Sequence, residues 1–340
     1  MPRLTPAQRF DALKDRVIRE THLDANESAF VARALLYVEA ETYDTELPPN
    51  EARKYIPFDN TTPPGAKYTA YRQYTRTGMA RLITGRGQDL PRSVFFVKEF
   101  QREFYRVGMS YGYTLDDLLA AQMASSNGGP AINIDMEEAK GCMEGIERAI
   151  DRIAAFGSAP SPILAAVGIG ADVGMIGVLN HPNIPIGVAA TGVSTFTQWS
   201  RKSPDEIIAD MNAAVATIVE STFKVHKPTN MLVPIAHYER QLTRSMGDGR
   251  SDTILSYFLK TNQHIKEVDS WQYLTGSGPG STDQMLVFEK SKRTGRVMMA
   301  QEFTQDPVQY EHREYTVDCT AKTAGFVCPY PLAWSLTYGI

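Results

Sequence analysis

Apolar residues recur at alternating steps of four and three along Ala139, Met143, Ile146, Ile150 and Ile153, the spacing that lines one face of a helix. Asp135 and Glu138 stand ahead of this stripe with capping-box spacing and Gly157 supplies a stop, so a long helix is predicted over 135–157. A second stripe, Ile207, Met211, Ala214 and Ile218, follows Ser203, Pro204 and Glu206, which read as N-cap, first helical residue and closing acid of a capping box. Two other segments have the period of a strand. "KYTAYRQYTRTGMARLI" and "SVFFVKEFQREFYRVGMSYGYT" alternate aromatic and polar residues on either side of the turn cluster "TGRGQDLPR". They predict a long two-stranded ribbon with its tip near residues 85–91, an element barely stable in water unless something covers it.

Around these elements the pattern changes twice. Residues 1–60 read as an arm, with a short amphipathic helix near 24–40 and then "YDTELPPNEARKYIPFDNTTPPG", whose Pro and Asn content breaks regular structure. After the second helix, "NMLVPIAHY", "IKEVDSWQYL" and "DQMLVFEKS" read as strands and "DTILSYFLKTN" as a short helix, which suggests an α/β subdomain. From Val297 the chain is strand-like, with turn signals at Asp306-Pro307 and Gly325. Asp116 and Asp117 in "YTLDDLLAAQMA" suit a helix start, where acids complement the dipole.

Composition sharpens one part of this picture. The 340 residues are 43% apolar, enough for roughly two domains. The net charge of −4 names no partner, but it is unevenly spread. Residues 61–110 hold Lys67, Arg72, Arg76, Arg81, Arg86, Arg92, Lys98, Arg102 and Arg106 against Asp89, Glu99 and Glu103, a local charge of +6. A basic ribbon on an acidic remainder fits nucleic acid, and it fits equally the acidic body of another copy of the chain. Interleaved Tyr, Phe and Arg favour an interface.

Candidate chemistry is sparse. Gly168, Gly170 and Gly174 in "AAVGIGADVGMIGVLNHPN" have spacings like those of a dinucleotide loop. The required helix is blocked by Pro182 and Pro185, and the positions about twenty residues on hold no acid, so a glycine-bent loop is the better reading. His22, His181, His226, His237, His264 and His312 show no metal-binding spacing, and no G-x-S-x-G elbow is present. Cys142, Cys319 and Cys328 form no C-x-x-C pair and are expected to be buried, reduced thiols. The charged N-terminus lacks the apolar core of a secretory signal, and no window reaches membrane-spanning length. No catalytic, cofactor-binding or metal-binding residue is assigned, and the chain is not expected to be an enzyme.

The order of arm, projecting two-stranded loop, long helix, α/β subdomain and C-terminal strands resembles that of tailed-phage major capsid proteins. The likeness covers roughly residues 28–340 and is carried by "AYRQYTRTGMARLITGRGQDLP", "SYGYTLDDLLAAQMA", "GVLNHPNIP", "SPDEIIADMN", "LVPIAHY", "IKEVDSWQYL" and "QEFTQDPVQYEHREYTVDCTAKTAGFVCPYPLAW". It implies an α+β chain with the HK97-like capsid fold. On that likeness residues 1–60 are an N-terminal arm, 61–110 the extended loop, 111–203 a peripheral domain with the spine helix, 204–291 an axial domain, and 292–340 the peripheral domain's C-terminal strands.

The function implied is self-assembly into hexamers and pentamers of an icosahedral head around double-stranded DNA, in a virion built in the host cytoplasm. Other copies of the chain are its partners, beside portal, scaffolding or decoration proteins and non-specifically held DNA, with no cofactor and no membrane. Arg72, Arg76, Arg81, Arg86, Arg92 and Arg102 are the candidate intersubunit contacts. Two alternatives stand beside it, a nucleotide-binding enzyme using the Gly168–Gly174 loop and a soluble DNA-binding module using the basic ribbon. The chain departs from the family in the insertion "SAPSPILAAVGIGADVGMIG" after the long helix, expected to be an exposed loop or a local intersubunit contact.

Overall fold

The computed structural model of the chain describes residues 49–82, 92–126, 134–159, 173–247 and 250–340. The expected arm helix near 24–40, the ribbon tip, Arg86, Gly168 and Gly170 lie outside the described residues. The chain divides into two units, Met1–Leu47 with Leu118–Asn133, and Pro48–Asp117 with Ile134–Ile340. Of the first unit, the described part is Leu118–Ser126, helical throughout.

In the second unit, α1 (Ala52–Tyr55) is a single turn, and the first residues of α2 (Leu115–Ser126), those up to Asp117, start the helix as their acids suggest. Asp117 Oδ2 accepts the Thr114 N–H at 3.0 Å and Thr114 Oγ1 accepts the Asp117 N–H at 3.2 Å, a reciprocal cap. The long helix α3 runs over Ile134–Phe156 and measures about 35 Å at the usual rise. Asp135 does not cap it. It lies inside the first turn, where Oδ1 accepts the Tyr111 hydroxyl at 3.1 Å. The buried stripe is Cys142, Ile146, Ile150 and Ile153, while Met143 is exposed, because the helix turns its Cys142 side to the sheet.

That sheet has β13 (Glu314–Val327) at its centre, antiparallel to β11 (Arg296–Gln305), to the short β12 (Gln309–Glu311) and to β4 (Tyr105–Thr114). β1 (Phe58–Asp59) adds a parallel edge on β11. Cys142, Ile146 and Ile150 of α3 pack against Tyr111 of β4, Met299 of β11 and Val317, Cys319 and Ala321 of β13.

The second sheet runs β5 (Ile186–Val188), β14 (Trp334–Tyr338), β10 (Gln284–Phe288), β6 (Asn230–Val233) and β9 (Glu267–Ser270). Its central strands are apolar at nearly every position because both faces are covered. Met231, Val233, Met285 and Val287 face α4 (Pro204–Ser221) and α5 (Ile254–Thr261); Leu232, Leu286, Phe288 and Leu336 face the end of α3. The capping box on α4 forms as predicted, with Glu206 N–H on Ser203 Oγ and Ser203 N–H on Glu206 Oε2.

Two strands fall across the boundaries read from sequence. The sequence reads "SVFFVKEFQREFYRVGMSYGYT" as one ribbon strand, but the strand ends at Glu103; Phe104 is buried, and Tyr105 opens β4 on the other sheet. β14 was expected with the peripheral strands, yet it pairs with β10 in the second sheet, where Trp334 stacks on Phe288 at 4.5 Å. Both switches are tertiary events that a two-residue period cannot announce, since an aromatic strand reads alike in either sheet.

Of the insertion expected to be an exposed loop or a local intersubunit contact, 160–172 lie outside the described residues, and its described end passes from exposed to buried. Val173 and Gly174 are exposed, but Met175 and Gly177 to Leu179 are buried against the end of α3. The Val178 and Leu179 N–H groups donate to the Ala154 and Ala155 carbonyls, both at 2.9 Å, and Asn180 Nδ2 donates to the Phe156 carbonyl at 2.6 Å. These satisfy carbonyls that a helix end leaves orphaned. "GVLNHPN" is therefore the cap of the long helix.

Candidate assembly surface

β2 (Tyr68–Thr77) and β3 (Val94–Glu103) pair antiparallel in unbroken register from Tyr68 opposite Glu103 to Thr77 opposite Val94. Opposed residues share a face. One face presents Tyr68, Arg72, Tyr74 and Arg76 with Glu99, Val97 and Phe95; the other presents Tyr71, Gln73 and Thr75 with Phe100, Lys98 and Phe96. Tyr74 stacks on Phe95 at 5.4 Å and Tyr71 on Phe100 at 5.2 Å. Tyr74 is 60%, Phe95 55% and Phe96 54% exposed, so large apolar rings stand in solvent on both faces. A hairpin lying on its own body would bury one face and leave the other polar. Its base is seated, with Tyr71 and Ala66 against Phe104, Met298, Ala300, Ala324 and Val327.

The candidate arginines do not form one patch. Arg72 is exposed and paired with Glu99 across the strands, Nε to Oε2 at 2.8 Å, which holds the Glu99 carboxyl below its usual range. Arg76 is exposed beside the Tyr74–Phe95 stack, and Arg81 and Arg92 are exposed just beyond the strand ends. Arg102 is half-buried and turned towards its own chain, where burial and the Arg102 charge push the His181 imidazole down to about 4.

No group of three or more His, Cys, Asp or Glu side chains among the described residues is placed to hold a metal, and none of the described helices is long and apolar enough to cross a membrane. Cys142, Cys319 and Cys328 are free and buried, and burial pushes the Cys142 thiol up to about 11 and the Cys328 thiol up to about 12. Such thiols pack rather than react. His226 Nδ1 lies 2.7 Å from Glu289 and His237 Nε2 lies 2.9 Å from Asp283, so these histidines are held by carboxylates.

Three features escaped sequence reasoning. Lys202 Nζ is buried between Asp210 Oδ2 and the Ala190 carbonyl, with Trp199 Nε1 donating to the same Asp210 oxygen at 2.9 Å. Asp151, buried in α3, accepts the Ala52 N–H at 2.6 Å and so fixes α1 to the helix, beside a two-bond Arg53–Glu147 pair. Its one visible signal is an acid set between Ile150 and Ile153 of the apolar stripe. The third is the exposed Phe223, at 90%, which follows α4.

The model of the major capsid protein family matches residues 78–340. In structure the chain is similar to the capsid of Myoviridae phage XM1, with a TM-score of 0.75 and 14% identity over 91% of this chain and 98% of that one. It is also similar to a chain of Mycobacterium phage Ogopogo, TM-score 0.60 and 11% identity over 91% and 98%, and to one of Gordonia phage Cozz, TM-score 0.58 and 12% identity over 92% and 93%. No curated protein matches in sequence. Neither the nucleotide-binding enzyme nor the soluble DNA-binding module finds support in these likenesses. The match takes in the second ribbon strand, the long helix and both sheets apart from β1, and with it the α+β, HK97-like fold is accounted for; the chain belongs to the major capsid protein family, and it is a structural capsid subunit, not an enzyme.

Proposed function

We propose that the chain assembles into hexamers and pentamers of an icosahedral head that encloses double-stranded DNA, formed in the host cytoplasm, and that the β2–β3 ribbon is its lapping element. The observation that carries this reading is the exposure of aromatic rings on both ribbon faces, Tyr74 and Phe95 on one and Phe96 on the other. A two-stranded ribbon with two apolar faces needs cover that its own body does not supply. A neighbouring copy supplies it, and burial summed over many such contacts stabilises a shell even where each contact is weak. Arg76, Arg81, Arg86 and Arg92 add charge at the rim of that contact, and Arg72 and Arg102 act within the ribbon and at its base. Residues 1–60 serve as the arm and the second sheet with α4 and α5 as the axial part. Packaged DNA is held without sequence preference, and portal, scaffolding or decoration proteins meet the finished surface.

Reversing charge at Arg81, Arg86 and Arg92 together tests the lapping role. Negative-stain microscopy should show folded chain without shells, and normal shells from that variant would refute the assignment.

A further inference from the structure

Helix α4 ends in a backbone motif that ordinarily calls for glycine. Lys224 N–H donates to the Val219 carbonyl at 2.8 Å and Phe223 N–H to the Glu220 carbonyl at 3.1 Å, the paired bonds of a Schellman cap. Phe223 occupies the left-handed position with φ of +50°, and Lys224 follows at +65°. Side chains with a Cβ adopt this region at a cost that glycine escapes. The loop is nonetheless firmly held, because Thr222 Oγ1 donates to the Ile218 carbonyl at 2.7 Å and accepts the His226 N–H at 3.3 Å. The strain presents an apolar side chain to water, with Phe223 90% and Val225 76% exposed and no ring among the described residues stacked on Phe223. A strained, locked loop whose Phe223 and Val225 bury nothing in their own chain, although Thr222 beside them is buried, points to a binding role.

The opposite end of α4 carries the complement. There Val193, 96% exposed, sits at the tip of a turn closed by Gly192 N–H to the Phe196 carbonyl at 3.0 Å. Val193 N–H donates to Glu206 Oε1 at 2.7 Å, so the tip is tied to the first turn of the helix. The two ends differ in charge. Loop residues 222–227 bring the exposed Lys224 and Lys227, with Glu220 one turn back and Glu289 taken up by His226 at 2.7 Å. The Val193 end brings Asp205 and Glu206, while Arg201 there is occupied over the Phe196 ring at 3.9 Å. An apolar, cationic projection and an apolar, acidic turn at the two ends of one 18-residue helix form the pair of unlike patches that a head-to-tail ring requires.

We propose that Phe223 of one copy docks against the Val193 turn of the next copy, with Lys224 facing Asp205, and that this contact repeats around each capsomer ring. It rests on the assembly of copies proposed above and is separable from the ribbon's role.

The test compares full-length wild-type chain with Phe223→Gly. Glycine suits the left-handed position, so the thermal midpoint of the unassembled variant should be unchanged or raised, while the yield of shells or rings by negative stain falls at least tenfold. Equal yields overturn the contact. Phe223→Asn, also tolerant of that conformation, repeats the comparison should glycine loosen the fold. A chain carrying both Phe223→Cys and Val193→Cys, assembled and then oxidised with oxidised glutathione, should give a ladder of disulfide-linked oligomers on a non-reducing gel. The thiols lose two hydrogens as the oxidant is reduced to two glutathione molecules. Each single variant should give dimers at most; assembled particles of the double variant without a ladder refute the Val193 socket. Wild-type chain that never assembles would instead sink the assembly reading itself.

Discussion

Gly157 and Gly177 cross backbone to backbone: a Cβ on Gly157 would lie 2.8 Å from the Gly177 nitrogen, and one on Gly177 would lie 2.5 Å from the Gly157 nitrogen. The crossing ends α3 and aims the chain towards the second sheet. Gly157 has φ of +65°, the left-handed position past a helix end, and Gly177 admits the Ala155 carbonyl, which a Cβ would meet at 2.3 Å.

Gly177→Ala should therefore destabilise the fold by about 3 kcal/mol or more, because the obstacle is backbone on two sides and cannot rotate away. A denaturant titration of the unassembled chain measures it. A midpoint shift worth less than about 1 kcal/mol would mean that the crossing yields more easily than its geometry says.

Asp151 makes stability depend on pH. Burial is the main cause that pushes its carboxyl up to about 6, only partly opposed by the Ala52 N–H. The folded state thus holds the proton more tightly than the unfolded chain, whose carboxyl titrates near ~3.9. The stabilisation that this provides is complete below about pH 4 and is lost as pH rises through about 6. Asp151→Asn keeps an oxygen for the Ala52 N–H and carries no charge. It should be more stable than wild type by about 3 kcal/mol at pH 7.5 and nearly equal at pH 4. Thermal midpoints across that range decide, and two parallel curves would refute the assignment.

Much of this architecture is legible in the chain itself, and the limits have physical causes. The stripe Ile146, Ile150, Ile153 and the Ser203-Pro204-Glu206 cap are local signals, and both elements form where predicted. Tyr105 and Trp334 change sheets, which is decided by distant partners, β13 and β10, and leaves no mark on a two-residue period. The glycines of "GMIGVLN" announced a tight backbone, but not that its tightness would serve a helix end. On the candidate surface, counting cations across residues 61–110 could not show that Arg72 is already paired with Glu99 or that Arg102 turns inward. The exposed rings, which carry the stronger argument, alternate in the sequence as core residues would.

The buried Lys202–Asp210 pair predicts an asymmetric response. Both side chains are almost wholly out of water, and Asp210 also receives Trp199 Nε1. Lys202→Met leaves the Asp210 charge uncompensated and should destabilise by about 3–5 kcal/mol, whereas Lys202→Met with Asp210→Leu should recover much of that loss. Urea midpoints of the two variants measure this. A double variant no better than the single would show that the loop before α4, not charge burial, dominates the site.

The ribbon predicts a separation of folding from assembly. Tyr74 and Phe95 stack at 5.4 Å on an element whose far end buries little, so replacing both with Ser removes an exposed aromatic pair, an effect on the isolated chain of about 1 kcal/mol or less. Under the lapping contact proposed above, the same rings lie beneath a neighbour, and each lost contact is repeated in every subunit. The Tyr74→Ser, Phe95→Ser chain should thus melt close to wild type and fail to form shells at concentrations where wild type assembles fully, as read by light scattering and negative stain. Arg72→Glu separates the charge from the rings. It breaks an exposed pair of small worth and sets two carboxylates across the strands, so it should slow assembly without abolishing it. If the aromatic variant instead assembled normally while Arg72→Glu did not, the lapping contact would be electrostatic, and the rings would owe their exposure to something other than a second copy.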